Sequence, residues 1–268
     1  MALESTAGFT GPKYYDDCLG PLWFDHFAAH LVQYLPVRPA GDVLEIACGT
    51  GLVTRRLRER LDAAVGLVAI DSSKPMLDYA RTLLATRPGI SWLEADGQRL
   101  PFAANRFCGV VCGFGFMFMP DRQAALREAR RVLTEGGTLV FDVWDRIEAN
   151  QHALVTGRVL DSLFPGDSEI TYGTPYDMGD PVLLRRLLDD TGFRTVRIEA
   201  QRLVLAGVDP RRIASGLVRG TPRATLIERH GLYTLEAVID KVTAALRTAG
   251  GDPYHGPVQA VIVEAVAI

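Results

Sequence analysis

Between Val43 and Trp144 the chain switches repeatedly from short apolar runs to segments of helical period, and this alternation restricts the fold more than any other feature. The apolar runs are VLEIA (43–47), GLVAID (66–71), SWLEAD (91–96), FCGVVCGFGF (107–116) and TLVFDVW (138–144). Between them lie LVTRRLRERL (52–61), PMLDYARTLLA (75–85) and RQAALREARRVL (122–133), whose apolar positions recur every three or four residues. Strands that alternate with helices of this length form right-handed βαβ units around a parallel sheet. The runs are almost continuously apolar, as required of strands covered on both faces.

The alternation stops after Asp145. The spacing predicts helices over 148–164 and 181–193, the second with Gly192 as its C-terminal cap, and a strand over 195–205. A helical block over 209–247 and a final strand over 258–268 follow. Ahead of the core, PLWFDHFAAHLVQYL (21–35) is read as one amphipathic helix starting at a proline. At 268 residues the chain can bury most of its apolar surface in one core. The expected organisation is therefore a single domain over 1–268. It comprises an N-terminal helical cap (1–40), a ligand-binding core (41–145), and helical insertions at 146–180 and 207–256 that act as a lid.

The stretch LEIACGTGLVTRRL (44–57) carries the chemistry. A strand runs directly into Gly49-Thr50-Gly51 and then a helix, so backbone can approach a ligand closely where positive φ is tolerated. The unpaired N–H groups of the helix start lie beside it. Asp71 ends the second strand, 20 residues after Gly51, where an acid in a nucleotide-binding sheet accepts from ribose hydroxyls. Asp96 ends the third strand on the same carboxyl edge. Each acid taken alone is equally a solvated strand end or a helix cap.

Taken together, LEIACGTG, AIDSSKPML, EADGQRLPF and RRVLTEGGTLVFDVWD resemble the class I methyltransferases that use S-adenosylmethionine (SAM), of the type 11, ubiquinone-biosynthesis-like branch. The resemblance runs from about residue 40 to 145, and GPKYYDDCLGPLWFDHFA and later segments are similar to one bacterial branch of that family. It implies a Rossmann-like α/β fold with a seven-stranded sheet, mostly parallel, whose last strand is antiparallel. It also implies SAM as cofactor and residue roles by position. Glu45 orients the glycine loop or the amino group of the methionine moiety, and Ala47, Cys48, Gly49 and Gly51 line the methionine and ribose part. Asp71 holds the ribose hydroxyls, Ser72 and Met76 flank the adenosine, and Asp96, Gly97 and Gln98 meet the adenine. Gly113 and Phe114 pass beside the sulfonium. Two positions depart from the pattern: Cys108 stands where an Asp is usual, and Gly113 where a Gln is common.

A sulfonium can rest against aromatic faces, and Tyr14, Tyr15, Phe114 and Phe116 are the candidates. Methyl transfer is an in-line displacement, so alignment and water exclusion matter more than catalytic side chains. If the acceptor is a hydroxyl or an acidic carbon, His152 or Asp145, both just beyond the fifth strand, could serve as base. His230 and His255 are further choices. His26 and His30 are four apart on one helix but have no third ligand, so no metal site is predicted. Apolar and aromatic residues of the cap and lid (Trp23, Phe24, Phe27, Leu163, Phe164, Tyr172, Tyr176) suggest a planar or lipophilic small molecule methylated on N, O or C. A protein that binds SAM for another reaction, or only as a binding module, would carry the same motifs. An NAD-dependent dehydrogenase fits less well, because Leu52-Val53-Thr54 replaces the third glycine of that fingerprint.

The net charge of −3, with arginines dispersed among acids, argues against a nucleic-acid partner. Cys18, Cys48, Cys108 and Cys112 form no CxxC pair and read as free thiols of a reducing compartment. The N-terminal residues lack the pattern of a secretory signal. No apolar run approaches the ~20 residues of a membrane span. The expectation is a cytoplasmic protein.

Overall fold

The computed structural model describes residues 11–37, 39–171 and 174–268. Its sheet has seven strands: β1 (Asp42–Ile46), β2 (Leu67–Asp71), β3 (Ile90–Glu94), β4 (Phe107–Gly113), β5 (Leu133–Trp144), β6 (Phe193–Val208) and β7 (Tyr254–Ala267). They lie in the order β3-β2-β1-β4-β5-β7-β6. The pairs among β1 to β5 are all parallel, and β7 runs antiparallel to both β5 and β6. This is the sheet that the alternation and the resemblance predict, with its last strand reversed.

The helices are α1 (Gly11–Tyr14), α2 (Asp25–Leu31), α3 (Leu52–Arg60), α4 (Lys74–Leu83), α5 (Arg122–Val132), α6 (Gln151–Leu163), α7 (Pro181–Asp189), α8 (Pro210–Arg219), α9 (Arg223–His230) and α10 (Leu235–Gly250). One core joins Leu44, Ile46, Val110 and Phe141 to Trp23, Phe27, Leu217 and Leu246. A second, on the α2/α3 face, joins Val43, Val111 and Val140 to Leu31 and Leu57. β1 and β2 are buried on both faces, which is why they read as unbroken apolar runs.

Chain order reverses at β1, with β2 on one side and β4 on the other. In an open parallel sheet that reversal leaves a crevice beyond the carboxyl ends of the two strands. It fixes where the site must be.

The segment read as one amphipathic helix is built differently. A ten-residue π-helix (Tyr15–Phe24) precedes α2, and the chain ends in a 3₁₀ turn at Val32–Tyr34. Pro21 lies inside the π-helix and has no N–H to give to an α ladder, and the N–H of Asp25 donates to Gly20 five residues back. The π-helix packs against α8 so closely that a Cβ on Gly216 would stand 2.3 Å from Leu19 Cδ2. β5 starts at Leu133, five residues earlier than expected. The extra residues bulge out, since Phe107 pairs with Leu133 while Gly109 pairs with Thr138. β6 likewise spans 193–208, longer than the predicted 195–205, because β7 offers it a partner along its whole length.

Candidate functional site

The turn after β1 is held open by backbone conformation. Ala47, Gly49 and Gly51 all have positive φ (56°, 54° and 86°), and Gly51 is the N-cap of α3. A Cβ built on Gly49 meets nothing within 4 Å, whereas one on Gly51 would press on Leu84 Cδ1 at 3.0 Å and Ala80 Cβ at 3.3 Å. One glycine thus keeps space free and the other lets α4 pack. Positive φ at Ala47 costs of order 1–3 kcal/mol, a strain that concentrates at ligand sites. Phe114, just past β4, is a second such residue, with φ 51°.

Asp71 locks this turn from the neighbouring strand. Its Oδ2 accepts from Gly49 N–H at 2.8 Å and its Oδ1 from Ser73 N–H at 2.7 Å. A carboxylate has about four acceptor positions, so capacity remains for a diol. Burial raises its carboxyl pKa, opposed by these backbone N–H groups.

A small, partly open cavity lies beyond the tips of β1 and β4. It is lined by Tyr15 and Phe24 of the π-helix, by Glu45, Ala47, Cys48, Gly49, Thr50, Leu52 and Val53 along the turn and α3, and by Gly113 and Phe114. Among the described residues, no Lys, Arg or His lines it. Glu45 is 1% exposed, its Oε2 finds no hydrogen-bond partner among the described residues, and burial pushes its carboxyl up to about 8. Burial also holds the Tyr15 hydroxyl far above its ordinary range, and the charges of Asp142, Asp71 and Asp16 add to this. Phe24 stacks on Tyr15 at 4.8 Å and meets Phe114 at 5.1 Å, and Phe114 lies 4.3 Å from Trp144. Asp16 of the π-helix accepts from the Thr50 and Tyr79 hydroxyls at 3.3 and 3.5 Å, tying the cap to the glycine turn and to α4.

The structure therefore gathers Tyr15, Glu45, Ala47, Cys48, Gly49, Gly113 and Phe114 around one cavity, with Gly51 and Asp71 directly behind it. Ser72 follows the tip of β2, Met76 lies in the first turn of α4, and Asp96, Gly97 and Gln98 follow β3, which ends at Glu94; none of them lines the cavity. Asp96 accepts from Gln98 N–H at 2.8 Å, and Gln98 Oε1 accepts from Asp121 N–H at 2.8 Å. Gly97 is required by packing, since a Cβ there would meet Met119 Cε at 2.7 Å and Ile46 Cγ2 at 2.8 Å.

Of the other sulfonium candidates, Tyr14 lies under the Arg219 guanidinium and Phe116 packs on Phe141. Neither residue singled out as a base lines the cavity. His152 is fully buried, 4.6 Å from the Trp23 ring, and burial lowers its pKa to about 3. Asp145 accepts from Gln259 Nε2 and from Arg146 N–H. Tyr172 lies outside the described residues.

Sequence reasoning named Phe24 among the aromatics of the cap but missed Thr50, Leu52 and Val53 as lining residues, and it missed Asp142. This aspartate of β5 is 1% exposed; its Oδ1 accepts from Phe114 N–H at 2.8 Å, and its Oδ2 is unpartnered among the described residues. Burial pushes its carboxyl up to about 7. The available signal was a single acid inside the otherwise apolar run TLVFDVW.

Residues 43–137 match the family model described as a methyltransferase domain. Over this stretch the chain carries a methyltransferase domain. Among curated relatives, the 2-phytyl-1,4-naphtoquinone methyltransferase of Thermosynechococcus vestitus is 35% identical over 106 residues, 40% of this chain and 47% of the relative. The demethylmenaquinone methyltransferase of Staphylococcus epidermidis is 30% identical over 135 residues, 50% and 54% of the respective chains. The match thus spans about half the length of these relatives. A SAM-dependent methyltransferase from Aquifex aeolicus superposes with a TM-score of 0.57 at 13% identity, covering 96% of this chain and 98% of that one, which shows the shared fold. The cofactor of such a domain is SAM. The site fits it chemically: a buried acid with spare acceptor capacity, open space over Gly49, and, among the described residues, acids but no bases lining the cavity.

Proposed function

We propose that this chain transfers a methyl group from SAM to a planar or lipophilic small molecule, on N, O or C. The observation that carries the reading is the acidic surround of the cavity, whose buried carboxyls ionise when a cation arrives to pair with them. Glu45 lines it, Asp71, Asp142 and Asp16 surround it, and no basic side chain of the described residues lines it. At an effective dielectric near 20, one charge 4 Å from another is worth about 4 kcal/mol. Such a cavity favours a ligand bearing ammonium and sulfonium groups and opposes a dinucleotide diphosphate, which disfavours NAD.

When bound, SAM supplies an electrophilic methyl group on sulfur. Asp71 holds the ribose diol, with Ser72 and Met76 against the adenosine and Asp96, Gly97 and Gln98 at the adenine edge. Ala47, Cys48, Gly49 and Gly51 bring backbone close to the ribose and methionine parts, and Glu45 faces the amino group. Tyr15, Phe114 and the backbone of Gly113 flank the sulfonium. The aromatic group of Phe24, Phe114 and Trp144 excludes water and gives a flat acceptor an apolar surface. The quinone-methylating names of the relatives support an acceptor of that shape.

The test has two stages. SAM should raise the melting temperature while NAD does not; a shift with NAD alone overturns the reading. Incubation with SAM and a panel of reduced naphthoquinones and other planar phenols should then yield S-adenosylhomocysteine together with a methylated product. Tight SAM binding with no product from any acceptor class would leave a binding module instead.

A further inference from the structure

Gly113 ends β4 at the cavity, and its register partner on β5 is Asp142. Position 113 cannot carry a side chain in this packing, because a Cβ built there would stand 2.7 Å from Val53 Cγ2. A polar group serving that side of the cavity must come from a neighbouring strand. Asp142 does not line the cavity but stands directly behind this wall: its Oδ1 is 3.9 Å from the Cβ built on Gly113 and accepts from Phe114 N–H, and its Oδ2 is unpartnered among the described residues.

Glu45 pairs with Val111 and Asp142 with Gly113, so both acids project from the α2/α3 face of the sheet, on the two strands flanking β4. Each keeps one buried oxygen without a partner, and no basic side chain bonds to either among the described residues. A buried, unpartnered carboxyl is costly unless a cation arrives to pair with it. The N–H of Phe114 meanwhile fixes the Asp142 carboxyl from one side. Because Phe114 itself sits at the cavity in a strained conformation, that bond links the acid to the site wall.

From this juxtaposition we infer that Asp142 is a specificity-determining residue for the ammonium group at the amino-acid end of the donor, in place of the side chain that Gly113 lacks. The inference rests on the SAM reading of the cavity and extends it to a residue of β5. With Glu45, Asp142 places an acid on each side of the β4 tip. A ligand with an ammonium group is then distinguished from the same ligand without one.

The test is calorimetric binding to the full chain of two probes that differ only in that group: S-adenosylhomocysteine and its desamino analogue. Both lack the sulfonium, so the α-ammonium is isolated. Asp142→Asn keeps an acceptor for Phe114 N–H and removes the charge. It should weaken S-adenosylhomocysteine by about tenfold or more, as expected for a hydrogen bond to a charged group. The desamino analogue should stay within about twofold. Equal losses for both probes, or no loss for either, overturn the inference while leaving the SAM reading intact. Failure of the wild-type chain to bind either probe overturns both. If Asp142→Asn does not fold, as judged by circular dichroism, Asp142→Ser takes its place in the same comparison under the same criteria.

Discussion

Asp71 illustrates how one side chain can serve both fold and site. It fixes Gly49 and Ser73 through backbone N–H bonds and keeps acceptor capacity beyond them. Asp71→Ala should weaken SAM binding by about 1–3 kcal/mol, measured by calorimetry, since it leaves the diol and Gly49 N–H unpaired. Unchanged affinity would count against the assigned pose. The buried titratable groups give stability opposite slopes at the two ends of the pH range. His152, held neutral down to about 3, gains its proton only in the unfolded chain as pH falls below its ordinary value near 6.5. Stability should therefore be lost progressively between about pH 6.5 and 3, and His152→Phe should flatten urea-denaturation midpoints over that range. Glu45 has its folded pKa raised to about 8, so its stabilisation is full below about pH 4.5 and declines as pH rises towards 8. Glu45→Gln should remove that alkaline loss, amounting to ~2 kcal/mol or more at pH 8; a midpoint that tracks wild type across the range would refute it. Asp71 was legible in the sequence because a strand tip and its spacing from the glycines locate it. Asp142 was not, because its meaning lies in which strand it pairs with.

At the scale of elements, the glycine turn, α3 and α4 behave as one unit, and the cap is a second unit laid over it. The contact between the π-helix and α8 depends on Gly216, where any Cβ would run into Leu19. Gly216→Val should lift the π-helix and weaken SAM binding, because Tyr15 and Phe24 reach the cavity from that helix. It should also lower the melting temperature by several degrees, in keeping with the 1–3 kcal/mol cost of overpacking. A variant that melts like wild type but binds normally would show that the cap does not depend on this contact. The exposed ion pairs of Arg211 and Arg219 with Glu236 and Asp240 also join α8 to α10, but such pairs contribute under about 1 kcal/mol each. Close packing therefore governs this layer. Helical period was enough to place α2, α6 and α7, yet not to foresee the π-helix, since i, i+4 and i, i+5 ladders present similar apolar faces and the choice turned on Pro21.

For the whole molecule, the sheet order decides both stability and where the cavity lies. β7 lies between β5 and β6 and is buried along most of its length. A chain truncated before Tyr254 should lose cooperative unfolding and most of its strand signal in circular dichroism, because β6 would have no partner and β5 would lose its neighbour. Retention of a sharp melting transition would contradict this. What the sequence alone determined is what local chemistry can encode: apolar period set the strands and helices, and glycines with positive φ set the turn. Strand-tip acids at fixed spacing marked the carboxyl edge of the sheet, where open parallel sheets bind ligands. Only the tertiary structure decided that Asp142 stands beside Gly113, that His152 is sealed behind Trp23, and that Phe24 closes the cavity. Those facts depend on strand register and helix packing between residues far apart in the chain, and no local pattern of side chains carries that information.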